Sequence, residues 1–443
     1  MKMLRTACAA ILGLSLTLAP APKSVAAQPP EISDRDVADA WMYLLTRLLV
    51  LRQQQLDFKE GFKWNELVHR KPGAVDWPNP NLDVAYSEAW VAVDETSCTI
   101  VTVPKISGRY YTVQFLNGWD ETLANISERV FPHHPDGEFA VCLRNANVSL
   151  PTEMKRIDLP VKYARVLLRI ELGDDWGEAV RIQHQFALRV TGSPQLLAIP
   201  KTPIFDLEKL PGVEAFDFAD AALDSEPDLN PGLEKYAADA RAIGSAIKSR
   251  KERKRVAKIV DEQGRGEFAK YGPTIGHGVI VNGWARPAVV GNYNTDFVAR
   301  TLITYGGIWA NVMPEVLYYR ASTDGTGELL NGNSVYTMTF PKDTFPQSFA
   351  NYFWSVIAVD AVHFRVLPNA KNRFLLNRET NPQYNRDGSL TLYFAADKPA
   401  EAPDGNWLPT RKGLIYHLTF RFYGPIDGVA NGTYYPPGLV KVR

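Results

Sequence analysis

The chain has 443 residues, of which 45% are hydrophobic and 22% are charged, and this ordinary globular composition excludes a disordered protein. Its 49 Lys and Arg residues balance 49 Asp and Glu residues, so charge gives no reason to expect a nucleic acid or an anionic membrane as partner. The length predicts two domains, because it exceeds what one hydrophobic core normally serves.

The first 27 residues resemble a secretory signal peptide. Lys2 and Arg5 precede an apolar centre over 11–18, and the small residues at 25–27 predict cleavage after Ala27. The apolar stretch is too short to span a bilayer, although an uncleaved anchor is the alternative. We therefore expect a periplasmic or secreted protein without a membrane span.

Cleavage there would leave two cysteines, Cys98 and Cys142. In an oxidising compartment they predict either a disulfide or two unlinked thiols buried in neighbouring strands. Two cysteines are too few for a structural zinc site, and the sequence predicts neither a metal nor another cofactor.

The first predicted element is a helix within the N-terminal segment 28–60. Ser33 is the candidate N-cap, with Asp36 three residues later, and apolar residues recur at helical spacing from Val37 to Leu48. This spacing predicts one buried face, which we expect to dock on the first domain. That domain, 61–195, contains short alternating runs such as "RYYTVQFL" and is predicted to be a β-rich barrel or sandwich.

Strand signals vanish over 196–275, where helical spacing predicts a connector. Its basic run, 248–258, is interpreted as a solvated helix face because the chain has no net charge. The last segment, 276–443, returns to strands and predicts a jelly-roll-like sandwich. In "LIYHLTFRFY" the even positions 416–422 form the apolar face, and His417, Thr419 and Arg421 form the polar one. The fold class is thus mainly β with helical additions.

Common catalytic motifs are absent from the sequence: it has no G-x-S-x-G, H-E-x-x-H, C-x-x-C or P-loop pattern. The adjacent His133 and His134 would point opposite ways on a strand, so we interpret them as a loop pair and not as a metal site. Aromatic residues lie beside polar ones at many positions, and such rings either line a ligand cleft or belong to the core.

Long ordered motifs carry a family resemblance. The first domain has "WPNPNLDVAYSEAW", "TIVTVPKISGRYYTVQFLNGW" and "ISERVF"; the second has "GNYNTDFVARTLITYGGIWANVMPEVLYYRASTDGTGELLNGNSVYTMTFP", then "FWS", "NRDGS", "NWLP" and "RFYGP". Over about 60–443 the chain resembles bacterial exported proteins built from domains of unknown function 1254 and 1214. The resemblance implies a β-rich first domain, a jelly-roll-like second domain and homo-oligomers, and it implies no settled activity.

The resemblance also marks individual positions. The chain departs from the family pattern at Val84, where a threonine is usual, and at Asn117, where an aspartate is common, so position 117 cannot supply a base. We interpret Asp324, Asp387 and Asp404 more simply as turn-forming residues. The simpler interpretation of Arg421 is that it forms a buried ion pair. The motif positions are Asn79, Asp83, Tyr86, Arg109, Tyr110, Arg300, Asn311, Tyr318, Asp324, Trp354, Asp387, Asn406, Trp407 and Arg421.

Two functional hypotheses follow. The first is a hydrolase that acts on a small amphipathic ester-like substrate in an aromatic-lined interdomain cleft, with Asp83 as general base, Tyr86 as hydrogen-bond donor and Arg300 holding the charge on the leaving oxygen. The alternative is a non-catalytic periplasmic ligand-binding or envelope protein that uses the same cleft. Either partner would be a small molecule. The candidate binding residues are Asn81, Tyr110, Tyr111, Trp119, Asn311, Tyr318 and Trp354.

Overall fold

The structure, a computed structural model, describes residues 32–74 and 77–442. The predicted signal peptide and its cleavage site therefore lie outside the described residues. Within the described ranges, no helix is both long enough and apolar enough to cross a membrane.

The first domain is a sandwich of two sheets. One sheet has the strand order β1-β2-β8-β4-β5 and the other β7-β6-β3-β9, with α2 (Trp176–Gln183) beside the first. Val113 and Val166 of the first sheet meet Val101 and Phe139 of the second in one core. Neither sheet closes on itself. Of the two predicted architectures, barrel and sandwich, the first domain therefore has the sandwich. The strands are β1 (Val68–His69), β2 (Val84–Ala92), β3 (Cys98–Val103), β4 (Tyr111–Leu116), β5 (Thr122–Ile126), β6 (Gly137–Leu143), β7 (Lys155–Leu159), β8 (Tyr163–Glu171) and β9 (Ala187–Val190).

The two cysteines of the first domain are joined. Cys98 in β3 lies directly opposite Cys142 in β6, and a disulfide links them with the Cα atoms 4.4 Å apart. Both side chains are fully buried. Of the two predicted alternatives, the structure therefore contains the bridge, which ties two neighbouring strands of the second sheet across a sequence separation of 44 residues.

Helices form a separate layer. They are α1 (Asp34–Glu60), α3 (Ala219–Ser225), α4 (Glu234–Ala246), α5 (Arg250–Ile259), α6 (Arg265–Tyr271) and α7 (Phe297–Gly307). The predicted cap of α1 is confirmed, since the Ser33 hydroxyl accepts a hydrogen bond from the Asp36 N–H at 3.1 Å. The helical connector is confirmed as well.

The expected docking of α1 on the first domain describes only part of its packing. Every residue from Ala40 to Leu51 is buried, so α1 buries all its sides there, and the prediction of one buried face is wrong. It packs mainly against α4 and α7, because a helix buried on all sides needs several partners. It also contacts the first domain, where Arg47 Nη1 donates to the Gly118 carbonyl at 2.8 Å and the indole N–H of Trp90 donates to Asp57 at 2.8 Å.

The second domain is also a pair of sheets, with strand orders β10-β11-β12-β18-β14-β15 and β17-β16-β13-β19. Leu317 and Phe420 of the first sheet pack against Met338 and Leu392 of the second. The mainly β fold class is thus confirmed. The elements are β10 (Val279–Val281), β11 (Trp284–Arg286), β12 (Val316–Ala321), β13 (Tyr336–Phe340), β14 (Trp354–Asp360), β15 (Leu375–Asn377), β16 (Leu390–Ala395), β17 (Trp407–Pro409), β18 (Tyr416–Tyr423), α8 (Asp427–Asn431) and β19 (Val440–Lys441).

The disulfide should stabilise the protein substantially. For the double substitution Cys98→Ser and Cys142→Ser we expect the free energy of unfolding to fall by about 4 kcal/mol, because the bridge no longer restricts the unfolded chain. Urea unfolding followed by circular dichroism measures this change. Wild-type protein treated with a reductant is the control and should show the same loss; equal stability of all three samples would contradict the prediction.

Candidate functional site

A cavity of about 90 Å³ lies between the two domains. Its first-domain wall includes Tyr86 of β2 and Arg169 of β8, which are paired residues in that sheet. Its second-domain wall comes from β12 and β18, and a third wall comes from α7 and the loop that follows it. The cavity therefore exists only where both domains and the helical layer meet.

The polar face of β18 forms one wall of this cavity. The predicted alternation is present: Leu418, Phe420 and Phe422 enter the core of the second domain, while His417 and Thr419 line the cavity. Although polar, the alternate residues are as buried as the apolar ones, because the first domain covers them. The antiparallel register with β12 adds further polar and aromatic side chains to the same wall.

Arg421 is held by the first domain. Its Nη2 donates to the carbonyl oxygens of Asn79 at 2.9 Å and Pro80 at 3.2 Å, and to the side-chain oxygen of Asn79 at 3.1 Å. Asn79 has a positive φ of 53°, which asparagine tolerates, and the turn presents these carbonyls to β18. The interpretation of Arg421 as half of an ion pair is wrong, since no described carboxylate forms a salt bridge with it. Backbone carbonyls neutralise only part of the guanidinium charge.

Two more arginines line the cavity in the same way. Arg169 donates to the Gln114 side-chain oxygen at 2.6 Å and to the Trp309 carbonyl at 2.7 Å. Arg320 donates to the carbonyls of Gly272 and Pro273. Burial lowers the pKa of Arg320 to about 10, so it stays charged at neutral pH. Within the described residues neither arginine has a salt bridge to a carboxylate, so the cavity carries positive charge.

Several buried donors on the cavity wall have no hydrogen-bond partner among the described residues. They are Nη1 of Arg421, Nε of Arg320, the Thr419 hydroxyl and the indole N–H of Trp309. Buried polar groups in proteins are nearly always paired, and an unpaired one costs about 1–3 kcal/mol. These donors therefore mark where a bound molecule would find hydrogen bonds.

His417 is neutral at physiological pH. Burial, together with the positive charges of Arg320 and Arg421, lowers the pKa of His417 to about 3. The adjacent Thr419 hydroxyl makes no hydrogen bond to the imidazole. An activated hydroxyl nucleophile requires such a contact to its base, so the cavity shows no nucleophile and base in contact.

Three of the predicted site residues, Asn81, Tyr86 and Tyr318, line the cavity. Asp83 does not: its carboxylate accepts hydrogen bonds from the Ser355 hydroxyl and from Asn377 at 3.1 Å, at the contact between the domains. Burial raises the pKa of Asp83 to about 6, against the lowering effects of Ser355 and Arg421. Asp83 therefore lies beside the cavity wall with both oxygens occupied.

The structure does not bring Arg300 together with Asp83 and Tyr86. Arg300 is fully buried and pairs with Asp228 at 2.7 Å and Glu121 at 3.4 Å, under the ring of Trp119. The other candidates also lie outside the cavity wall. Tyr110 donates to Glu315 at 3.2 Å, Asn311 exchanges hydrogen bonds with Asn125, and Tyr111 and Trp354 belong to the cores of the first and second domains.

In the part of the chain that the structure describes, no group of three or more His, Cys, Asp or Glu side chains could hold a metal ion. The sequence reasoning missed Arg169, Arg320, His417 and Thr419 as cavity residues. The sequence contained a signal for them, namely arginine and histidine within strands made otherwise of β-branched and aromatic residues. Burying such residues is costly, so their presence there indicates a function or a specific partner. What the alternation could not tell is that another domain, and not water, covers the polar face.

Two family models match the chain. One, described as a protein of unknown function, DUF1254, matches residues 64–190, and the other, a protein of unknown function, DUF1214, matches 315–427. Among solved structures, the chain is similar to the VPA0106 protein from Vibrio parahaemolyticus, with 20% identity, a TM-score of 0.62, and coverage of 93% of this chain and 100% of that one. That likeness shows the fold alone. A putative uncharacterized protein from Burkholderia cenocepacia is similar at 15% identity and a TM-score of 0.47, over 91% of this chain and 89% of that one. No curated protein matches.

The raised pKa of Asp83 makes stability pH-dependent. Its carboxyl favours the folded state below its ordinary pKa of 3.8, and this contribution is lost as the pH rises through the folded value of about 6. For Asp83→Asn, which cannot titrate, the free energy of unfolding relative to wild type should rise by on the order of 2 kcal/mol between pH 4 and pH 7. Urea unfolding across this range measures it.

Asp387→Asn is the control, because Asp387 lies in an exposed turn whose hydrogen bonds to Ser389 lower its pKa. Its difference from wild type should stay constant above pH 5, where the aspartate is ionised in both states. A flat profile for Asp83→Asn would contradict the assignment of a buried titrating carboxyl.

Arg300 should be a stability residue. Arg300→Met leaves Asp228 and Glu121 buried without their cation, so we expect the free energy of unfolding to fall by about 3–5 kcal/mol. The control is Arg189→Met, which breaks an exposed pair with Glu138 and should cost less than about 1 kcal/mol. Chemical denaturation measures both, and similar small losses would return Arg300 to the list of functional candidates.

Proposed function

The chain belongs to the family that joins these two domains of unknown function, and we propose that it is an exported protein whose interdomain cavity binds a small amphipathic molecule. Family membership assigns no activity here, so the proposal depends on the cavity. Its location in the periplasm or outside the cell is supported by the signal-like segment 1–27 and by the Cys98–Cys142 disulfide, which needs an oxidising compartment.

The observation that carries the proposal is the mixed lining of the cavity. Leu302, Ile303 and Trp309 offer an apolar surface, and unpartnered donors lie within the same walls. Ligand sites in proteins are typically concave and mostly apolar, with a few placed polar groups, and they form preferentially between domains. A molecule with an apolar body and a polar end satisfies both parts of this lining.

Binding without chemistry fits this geometry better than hydrolysis. The proposed base, Asp83, is engaged by Ser355 and Asn377 and does not line the cavity. The proposed cation, Arg300, is paired elsewhere, and the Thr419 hydroxyl has no hydrogen bond to His417. A hydrolase with a hydroxyl nucleophile needs its base in contact with that hydroxyl, and the described cavity residues show no such pair.

A direct test uses a panel of small amphipathic molecules, both neutral and charged, in isothermal titration. We expect micromolar binding by at least one class and no product when the mixture is analysed by mass spectrometry. Ile303→Phe adds volume to the cavity wall and should weaken binding by at least tenfold, because the ligand loses space it must occupy.

Leu329→Phe is the matched control, since it makes a similar addition at an exposed position. It should bind like wild type. Equal binding by Ile303→Phe would place the ligand elsewhere. Product formation that Asp83→Asn abolishes would instead establish the hydrolase.

A further inference from the structure

We propose that the ligand of the interdomain cavity is a small organic acid in its anionic form, with its carboxylate held by Arg421, Thr419 and Trp309. This inference rests on the proposed function and adds the chemical class of the ligand. It follows from the charge balance of the cavity and from the positions of its unpaired donors.

The charge balance is the first step. Three guanidinium groups, those of Arg169, Arg320 and Arg421, line the cavity, whereas no described aspartate or glutamate lines it. Their hydrogen-bond partners among the described residues are backbone carbonyl oxygens and the side-chain oxygens of Gln114 and Asn79, all of them neutral. Buried charges in proteins are normally paired with an opposite charge. The missing counter-charge is therefore an anion that enters the cavity.

The nearest acidic groups supply only part of that charge. Asp83, whose pKa is raised by burial and lowered in part by Arg421, lies beside the wall and is bound by Ser355 and Asn377. Asp360 accepts two backbone N–H bonds at 2.8 Å from the loop that follows it. Asp120 accepts from Thr304 at 2.9 Å. None of the three lines the cavity, so three guanidinium groups stand against at most the charge of Asp83 beside the wall.

The donor positions are the second step. Arg421 and Thr419 stand two residues apart on one face of β18, so Nη1 of the arginine and the threonine hydroxyl share a wall. Asn79 and Pro80 occupy only Nη2 of Arg421, and Nη1 has no partner among the described residues. The indole N–H of Trp309 is a third unpartnered donor, and all three residues are at most 2% exposed. A carboxylate accepts about four hydrogen bonds and suits such a set.

Cavity size and lining define the rest of the ligand. A volume of about 90 Å³ is smaller than the roughly 150 Å³ cavity that holds benzene in another protein, so the acid must be small. Leu302 and Ile303 line the side formed by α7, and Tyr86 and Tyr318 add aromatic surface. A short-chain carboxylic acid therefore fits the cavity better than an aromatic acid, a sugar or a long lipid.

The test compares each acid with its uncharged amide, which has nearly the same shape. Propionate and propionamide form one pair, and butyrate and butyramide the other, all titrated calorimetrically into the full mature chain. We expect each acid to bind at least tenfold more tightly than its amide, because a charged acceptor gains more from buried arginine and indole donors. Butyl phosphate is included as an alternative anion.

Thr419→Val is the decisive variant. It keeps the shape of the side chain and removes a hydroxyl that has no partner among the described residues, so it should fold with at least the urea midpoint of wild type. It should weaken the binding of both acids by about tenfold and that of the amides by a smaller factor, because a hydroxyl bonds a charged acceptor more strongly than a neutral one. Arg421→Gln should weaken the acids further, and Arg189→Gln, at the surface, should change nothing.

The outcomes separate the two proposals. If acids and amides bind equally well and Ile303→Phe abolishes the binding of both, the proposal of an anionic ligand is wrong. The proposal that the cavity binds a small molecule would then still hold. Tighter binding of butyl phosphate than of either acid would overturn the carboxylate assignment. If none of the panel binds at all, the proposed function itself fails. If Thr419→Val binds the acids as tightly as wild type, the proposed position of the carboxylate against Thr419 is wrong.

Discussion

Burial of a polar strand face between two domains is the constraint on which the site depends. Strand β18 turns apolar side chains into the core of the second domain, so its period of two forces His417, Thr419 and Arg421 to the opposite side. The first domain covers that side. Each buried polar group must then find a partner from another domain, and those that find none define the cavity.

The arrangement joins the domains by polar contacts as well as by packing. Asn81 donates to the Tyr423 hydroxyl, Asp83 contacts Ser355, and the Asn79 and Pro80 carbonyls hold Arg421. Such contacts depend on geometry because hydrogen bonds lose their strength with small displacements. The position of one domain relative to the other therefore determines the shape of the cavity, and α7 completes the wall between them.

Much of the fold could be predicted from the sequence, and less of the site. Alternation located β4 and β18, helical spacing located α1 and the connector, and Ser33 was found as the cap of α1. The helical partners of α1 were missed, because the pattern predicts one buried face whereas residues 40–51 are buried on all sides. Asn81, Tyr86 and Tyr318 line the cavity as candidates, whereas Arg300 lies in an ion-pair cluster that only long-range contacts reveal. A strand pattern shows that two faces differ, and it does not show what lies opposite each face.

The turn at Asn79 and Pro80 has a consequence for how this protein can change over time. Most of what it offers Arg421 is main-chain oxygen, which every amino acid carries. Selection for the contact would therefore act on the path of the backbone and only weakly on side-chain identity. Substitutions that preserve the turn would be tolerated, whereas a single insertion or deletion there would move both carbonyls and release the guanidinium. Related chains would then keep the length of this segment and, at position 79, a residue that tolerates a positive φ, while other side chains of the turn vary.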